Sequence, residues 1–271
     1  LKECRKVLQK IEPENTVNDL IGQMEVEIEK DRNSAVGWRY LMQPWLRTPL
    51  MIAVCIMFFQ QFVGINTVIY YSPKIFLMAG FESTLSAIWA SVGIGIVNVV
   101  FTVISLYLVD RIGRRKLYFI GLSGIAFSVL CLSACFIYAN QLGEIGRWLM
   151  VIFMFGYVAF FAISIGPLGW LVISEIFPQK VRGLGTSIGS LAVWIFNCIV
   201  SFTFFKIIDF FSIPGTEIVV GQTTSENPAG AFFLYGFIAV LGLVWGYLFL
   251  PETKGLSLEE IEQKWRKNRE C

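Results

Sequence analysis

Histidine is absent from this 271-residue chain, and only 15% of its residues are charged. Without imidazole, and with no acid between Cys131 and Cys135 on their shared helical face, no metal ion is expected. No cofactor is expected either. With so few charges, 55% hydrophobic residues and a mean hydropathy of +0.64, there is too little polar surface to cover a soluble globule. A strong basic excess is lacking as well: the net charge is +2, and lysines and arginines gather beside apolar runs rather than along a groove, which argues against nucleic acid as a partner. Four cysteines (Cys55, Cys131, Cys135, Cys198) sit inside apolar runs and two (Cys4, Cys271) in polar ends, so no disulfide framework is expected. No charged-then-apolar leader or cleavage site opens the chain at Leu1, and it reads as a fragment or a cleaved product.

What the chain has in abundance is long apolar runs. A hydrocarbon core of about 30 Å needs roughly 20 helical residues for one crossing. Six stretches qualify, at 48–71, 86–109, 117–139, 148–173, 183–205 and 232–250. They do not alternate polar with apolar as barrel strands would, so they are predicted to be helices in a lipid bilayer. Only Lys74, Arg147 and Lys206 fall on one side of this arrangement, and the other 19 of 22 lysines and arginines fall opposite. Both termini are therefore expected to be cytoplasmic. Residues 1–47 read as cytoplasmic linker helices, with Val7, Leu8 and Ile11, then Leu20, Ile21, Met24 and Ile28, at helical spacing. Residues 48–250 read as the bundle, 206–230 as a long external connection and 251–271 as a cytoplasmic tail.

Polar groups at membrane depth carry the functional signal. The first run holds Gln60, Gln61 and Asn66 around Gly64. On an ideal helix Gln61 and Asn66 would lie about 140° apart, and a break at Gly64 would bring them together. Asn98 is a lone amide in the second run. In the fourth, Pro167 removes a backbone hydrogen bond and predicts a hinge, with Trp170 beside it offering a ring for the C–H face of a sugar. Trp194 and Asn197 share a face of the fifth run. Gly185 with Gly189, and Gly242 with Gly246, predict close helix packing. At the cytoplasmic ends each basic block is accompanied by an acid: Asp110, Arg111, Arg114 and Arg115, then Glu175 through Arg182, then Glu252. Carboxylate–arginine pairs there would latch one state of the bundle.

Taken together, QQFVGINTVIYYSP (60–73), DRIGRR (110–115), GPLGW (166–170), SEIFPQKVRG (174–183) and PETKG (251–255) resemble the sugar porter family of the major facilitator superfamily, in its order and spacing, from about Leu41 to Leu258. The resemblance implies an all-α membrane fold of six transmembrane helices, arranged as two inverted three-helix repeats and forming the C-terminal half of a twelve-helix transporter. It implies that Gln60, Gln61, Asn66, Asn98 and Trp170 bind sugar hydroxyls and ring, with contributions from Phe161, Gly166 and Asn197. Tyr70 and Tyr71 would form the external gate. Val193 departs from an amide often present in relatives, and Ala162 from the glutamate of animal facilitators, which tilts the likeness toward bacterial xylose and hexose symporters of the inner membrane.

The expected function is therefore transport of xylose, glucose, galactose or arabinose by rocking against a missing N-terminal six-helix half, with proton symport as the expected coupling and no covalent chemistry. A facilitative uniporter or a polyol or inositol transporter is the alternative within the class. A non-transporting sugar sensor and a self-contained six-helix channel are the alternatives outside it. The sensor would need a long signalling tail, whereas 21 residues follow Leu250. The channel would need a lining that closes by symmetry.

Overall fold

Every apolar run of the sequence forms helix, since an unpaired backbone N–H or C=O in hydrocarbon costs several kcal/mol. The computed structural model describes residues 17–18, 21–22, 38–81, 83–212, 218–220, 223–255, 260 and 265. Helix α1 (Trp38–Leu41) and a 3-10 turn (Pro44–Leu46) lead into α2 (Arg47–Phe62) and α3 (Ile65–Met78), which together make span I. Span II is α4 (Thr84–Ile112) and span III is α5 (Arg114–Ile137). Helices α6 (Ala139–Ile163) and α7 (Ile165–Glu175) make span IV; a second 3-10 turn (Gln179–Val181) precedes α8 (Arg182–Phe210), span V, and α9 (Ala229–Phe249) is span VI. These six segments are long and apolar enough to cross a membrane.

The helices overrun several predicted limits. Span IV starts at Ala139 rather than 148, bending at Gly143 (φ 54°, ψ −127°), and span V continues through Lys206 and Asp209 to Phe210. Charges near a membrane surface lower hydropathy without ending a helix. The predicted external connection also holds a small hairpin, β1 (Ile218–Val220) against β2 (Thr223–Ser225), antiparallel with Val219 opposite Thr224. In the linker, Val17 and Ile21 are helical and buried one turn apart. The predicted helical positions Val7, Leu8, Ile11, Leu20, Met24 and Ile28 lie outside the described residues, as does most of the tail beyond Gly255.

Two spans are broken, and they occupy equivalent places in the two three-helix repeats. Span I breaks at Gly64, whose φ of +87° is a left-handed conformation that glycine adopts without Cβ strain. Span IV breaks at Ser164 (φ −127°, ψ −106°), three residues before the proline expected to mark the hinge. The displacement follows from proline chemistry: Pro167 has no N–H for the carbonyl four residues earlier, so the helix opens upstream of the ring. Around these spans, II packs on IV as V packs on I, and III packs on VI. The small residues do what their spacing predicts. Tyr118 Oη donates to the Gly242 carbonyl at 2.9 Å, a methyl at Gly246 would lie 2.4 Å from the Tyr118 ring, and Phe177 fills the space over Gly185. Span II leaves most of its surface uncovered, with Leu85, Trp89, Ile96 and Val99 exposed.

Candidate functional site

The break at Gly64 builds the site. By turning α3 away from the course of α2, it brings Asn66 back over Gln61, and Asn66 Nδ2 donates to Gln61 Oε1 at 2.6 Å. Gln61 Nε2 in turn makes a long contact of 3.4 Å to Gln60 Oε1, and Gln60 Nε2 donates to the carbonyls of Ile165 (3.1 Å) and Gly166 (2.7 Å) in the first turn of α7. Gly169 permits that approach, because a methyl there would sit 2.9 Å from Gln60 Nε2. Three amides that would be costly alone in hydrocarbon are thus linked to each other and to backbone.

This amide chain forms one side of a cavity of about 420 Å³. Asn98 and Thr102 of α4 line it, as do Phe161, Gly166, Pro167 and Trp170 across the span IV break, and Val193, Trp194 and Asn197 of α8. The sugar-contact residues expected from sequence therefore converge on one place. The lining combines amides with rings and aliphatic groups. Gly64, where span I breaks, is not among the lining residues, and its Cα faces the Tyr235 ring.

The two tyrosines expected to act as a gate are separated. Tyr70 lines the cavity, and its hydroxyl accepts a hydrogen bond from Asn197 Nδ2 at 3.2 Å, while Asn197 Oδ1 accepts from Ser201 Oγ at 3.0 Å. Tyr71 lies outside the cavity lining: its ring stacks on Phe204 (centroids 5.5 Å apart, planes at 6°), and Oη reaches the Ser201 carbonyl at 3.4 Å. Consecutive helical residues point about 100° apart, so the pair cannot share a face. Tyr71 fastens α3 to α8, with Lys74 Nζ 3.9 Å above the Phe205 ring on the same side.

Sequence reasoning missed Thr102 and Ile69, both in the lining. Thr102 stands four residues after Asn98 on one helical face, a spacing that could have pointed to it. Its Oγ1 donates to the Asn98 carbonyl at 2.7 Å, leaving hydroxyl lone pairs for a ligand. Both tryptophans line the cavity; Trp170 is 44% exposed and Trp194 64%. The more enclosed ring should matter more. Trp170→Leu is expected to weaken equilibrium sugar binding more than Trp194→Leu, and equal losses in binding titrations would remove the distinction.

At the far end of α7 the charged blocks meet. Arg114 Nη2 donates to Glu175 Oε1 at 2.9 Å, and Thr253 Oγ1 donates to Glu175 Oε2 at 2.6 Å. The Glu252 carboxylate accepts the backbone N–H groups of Arg114 (3.0 Å) and Arg115 (3.1 Å) at the start of α5, where the helix dipole favours an anion. Gly113, at φ +96°, admits it: a methyl there would lie 2.9 Å from Glu252 Oε2. Asp110 adds an exposed contact of 3.2 Å to Arg114. The other expected arginines join differently. Arg115 Nη2 donates to the Tyr247 carbonyl at 2.8 Å, Arg111 contributes its carbonyl to Lys254 Nζ, and Arg182 Nε and Nη2 are buried with no hydrogen-bond partner among the described residues.

Residues 1–265 match the family described as Sugar (and other) transporter. Among curated proteins the chain is 38% identical over 229 residues to the glucose transporter GlcP of Staphylococcus epidermidis, covering 84% of this chain and 47% of that one. It is 35% identical over 241 residues to the D-xylose-proton symporter of Escherichia coli K12, covering 89% and 46%. Among solved structures, the major facilitator superfamily proton:xylose symporter XylE bound to 6-bromo-6-deoxy-D-glucose superimposes with a TM-score of 0.72 at 32% identity, over 96% of this chain and 51% of that one. The chain spans about half the length of the curated relatives it matches.

Proposed function

We propose that this chain, which belongs to the sugar transporter family, forms the C-terminal half of a monosaccharide transporter that works by alternating access. The observation that carries the reading is the convergence of Gln60, Gln61, Asn66, Asn98 and Asn197 with the rings of Trp170 and Trp194 on one cavity. Neutral amides match hydroxyls as donors and acceptors, and an indole face matches axial C–H groups. About five such hydrogen-bonding groups and a ring suit binding near micromolar to millimolar, since about −4 to −8 kcal/mol spans that range. A site that must release its cargo works best in that weak regime.

This half lines the cavity with amides and rings, and a missing N-terminal six-helix half supplies the rest of the pathway. The sparsely covered face of α4 gives that partner an apolar surface. Helix α3, beyond the Gly64 joint, and α7, beyond the Ser164 joint, lie on opposite sides of the membrane because their spans run in opposite directions. Both termini lie in the cytoplasm, and the membrane is the inner membrane of a bacterium. Transport of an aldose such as xylose, glucose, galactose or arabinose is coupled to protons, in keeping with the symporters among its relatives. None of the residues lining this half of the cavity is a carboxylate, so the proton-binding acid belongs to the missing half.

Counterflow in vesicles tests this. Gln61→Ala in the complete transporter should weaken sugar binding about two- to twelvefold, the equivalent of about 0.5–1.5 kcal/mol for a neutral hydrogen bond, and Asn98→Ala should act similarly. Residues 1–271 alone should insert yet give no sugar-specific counterflow, and adding the N-terminal half as a separate chain should restore some. Stereoselective counterflow by this chain alone would overturn the half-transporter reading.

A further inference from the structure

The two helix breaks brace each other. From span I, Gln60, four residues before Gly64, donates to the backbone of Ile165 and Gly166 just beyond the Ser164 break. From span IV, Tyr157, seven residues before Ser164, donates from its hydroxyl to the Val63 carbonyl just before the Gly64 break, at 2.7 Å with both groups fully buried. The Gln60 half of this brace belongs to the amide cluster already described. The Tyr157 half lies outside the cavity lining and has no role in it.

The break creates the need for Tyr157. Beyond a left-handed residue the i→i−4 ladder is interrupted: Thr67 N–H turns to the Gly64 carbonyl at 3.1 Å, and the Val63 carbonyl takes no backbone donor among the described residues. A buried carbonyl in that position needs a side chain. Tyr157 reaches it from α6, while the Tyr235 ring of α9 fills the space over Gly64 and its hydroxyl lies 3.5 Å from Thr67 Oγ1. The joint is therefore held from two sides by helices that do not belong to it. Its setting determines whether Asn66 meets Gln61, because without the turn at Gly64 the two amides would diverge by about 140°.

We propose that Tyr157 is a positioning residue for the sugar site, acting through the Gly64 joint to hold Asn66 in register with Gln61. The proposal rests on the monosaccharide reading above. Removing the hydroxyl leaves the Val63 carbonyl unpaired and frees α3 to rotate, so the loss should be felt in binding and should be routed through Asn66.

A double-mutant cycle on the complete transporter, read by equilibrium titration with D-glucose and D-xylose, tests this. Tyr157→Phe should weaken binding about fivefold or more in the otherwise native protein, as expected for a buried acceptor left without its donor. In an Asn66→Ala background, where no register remains to protect, the same change should cost less than about twofold. Counterflow should show the loss mainly in KM. An equal loss in both backgrounds, or none in either, overturns the positioning role while leaving the sugar site standing. No response to either sugar in the unmutated protein, or unaltered binding by Asn66→Ala, removes the sugar-site assignment on which the proposal stands. Should Tyr157→Phe fail to accumulate, Tyr235→Phe probes the other side of the joint in the same cycle, and the same two outcomes decide.

Discussion

Replacing Gly64 with alanine is expected to abolish sugar counterflow by the complete transporter while leaving six spans inserted. Two costs add. An L-residue at φ +87° bears a left-handed penalty of roughly 1–2 kcal/mol. The new methyl would also lie 2.3–2.6 Å from three atoms of the Tyr235 ring, a fully buried side chain, and overpacking of that kind costs about 1–3 kcal/mol. The chain can escape both costs by straightening the joint toward ordinary helix. That escape carries Asn66 away from Gln61 and leaves the amide cluster divided. The loss should therefore be one of binding before it is one of stability. Titration and counterflow, with protein amount and dispersity checked by size exclusion, separate the two, and near-normal affinity in a well-folded Gly64→Ala protein would show that the joint does not set the site.

Glu175→Ala should produce the largest conformational shift. The Arg114 side chain is 12% exposed, and with Glu175 removed its guanidinium retains the 3.2 Å contact to the exposed Asp110 and a long bond to the Val109 carbonyl. Thr253 loses its acceptor as well. A part-buried, multiply bonded pair of this kind should contribute about 1–3 kcal/mol, which is roughly a 5- to 150-fold change in the ratio of two states. Glu175 ends α7, the half-helix beyond the Ser164 joint, so its carboxylate fastens that half-helix to the start of α5 and to the segment after α9. Under the proposed cycle this fastening belongs to the state closed on the cytoplasmic side, and breaking it should raise the inward-open population. Cysteine accessibility measured from both sides should show the change, with sugar affinity corrected for state population left nearly constant. An unchanged accessibility ratio would mean that the charges only set topology. Arg115→Ala should shift the ratio less, because its guanidinium holds a helix-end carbonyl at Tyr247 and no carboxylate.

The membrane class, the six spans and the amides that line the cavity were all legible in the sequence, because each depends on local properties. Twenty apolar residues in a row have one way to satisfy their backbone in lipid, and a glycine among amides announces a joint wherever it stands. The amides could be named as a cluster because polar groups at membrane depth are expensive enough to be conspicuous singly. The charged blocks were visible for the same reason, although their pairing was not: Glu175 meets Arg114, Arg115 holds the Tyr247 carbonyl, and Arg182 Nε and Nη2 have no hydrogen-bond partner among the described residues.

What only tertiary structure decided is how the joints are held and which face each neighbour takes. Tyr70 and Tyr71 look alike in the chain, and the rotation of α3 after Gly64 puts one on the cavity and the other against Phe204. The hinge in span IV falls at Ser164 because the missing N–H of Pro167 acts one turn upstream, where Gly121 leaves room for the serine. Nothing near Tyr157 in sequence marks it as a partner of Val63, 94 positions away. A carbonyl orphaned by a break has no sequence signature of its own; its partner is whichever donor the packing of spans I and IV brings within reach.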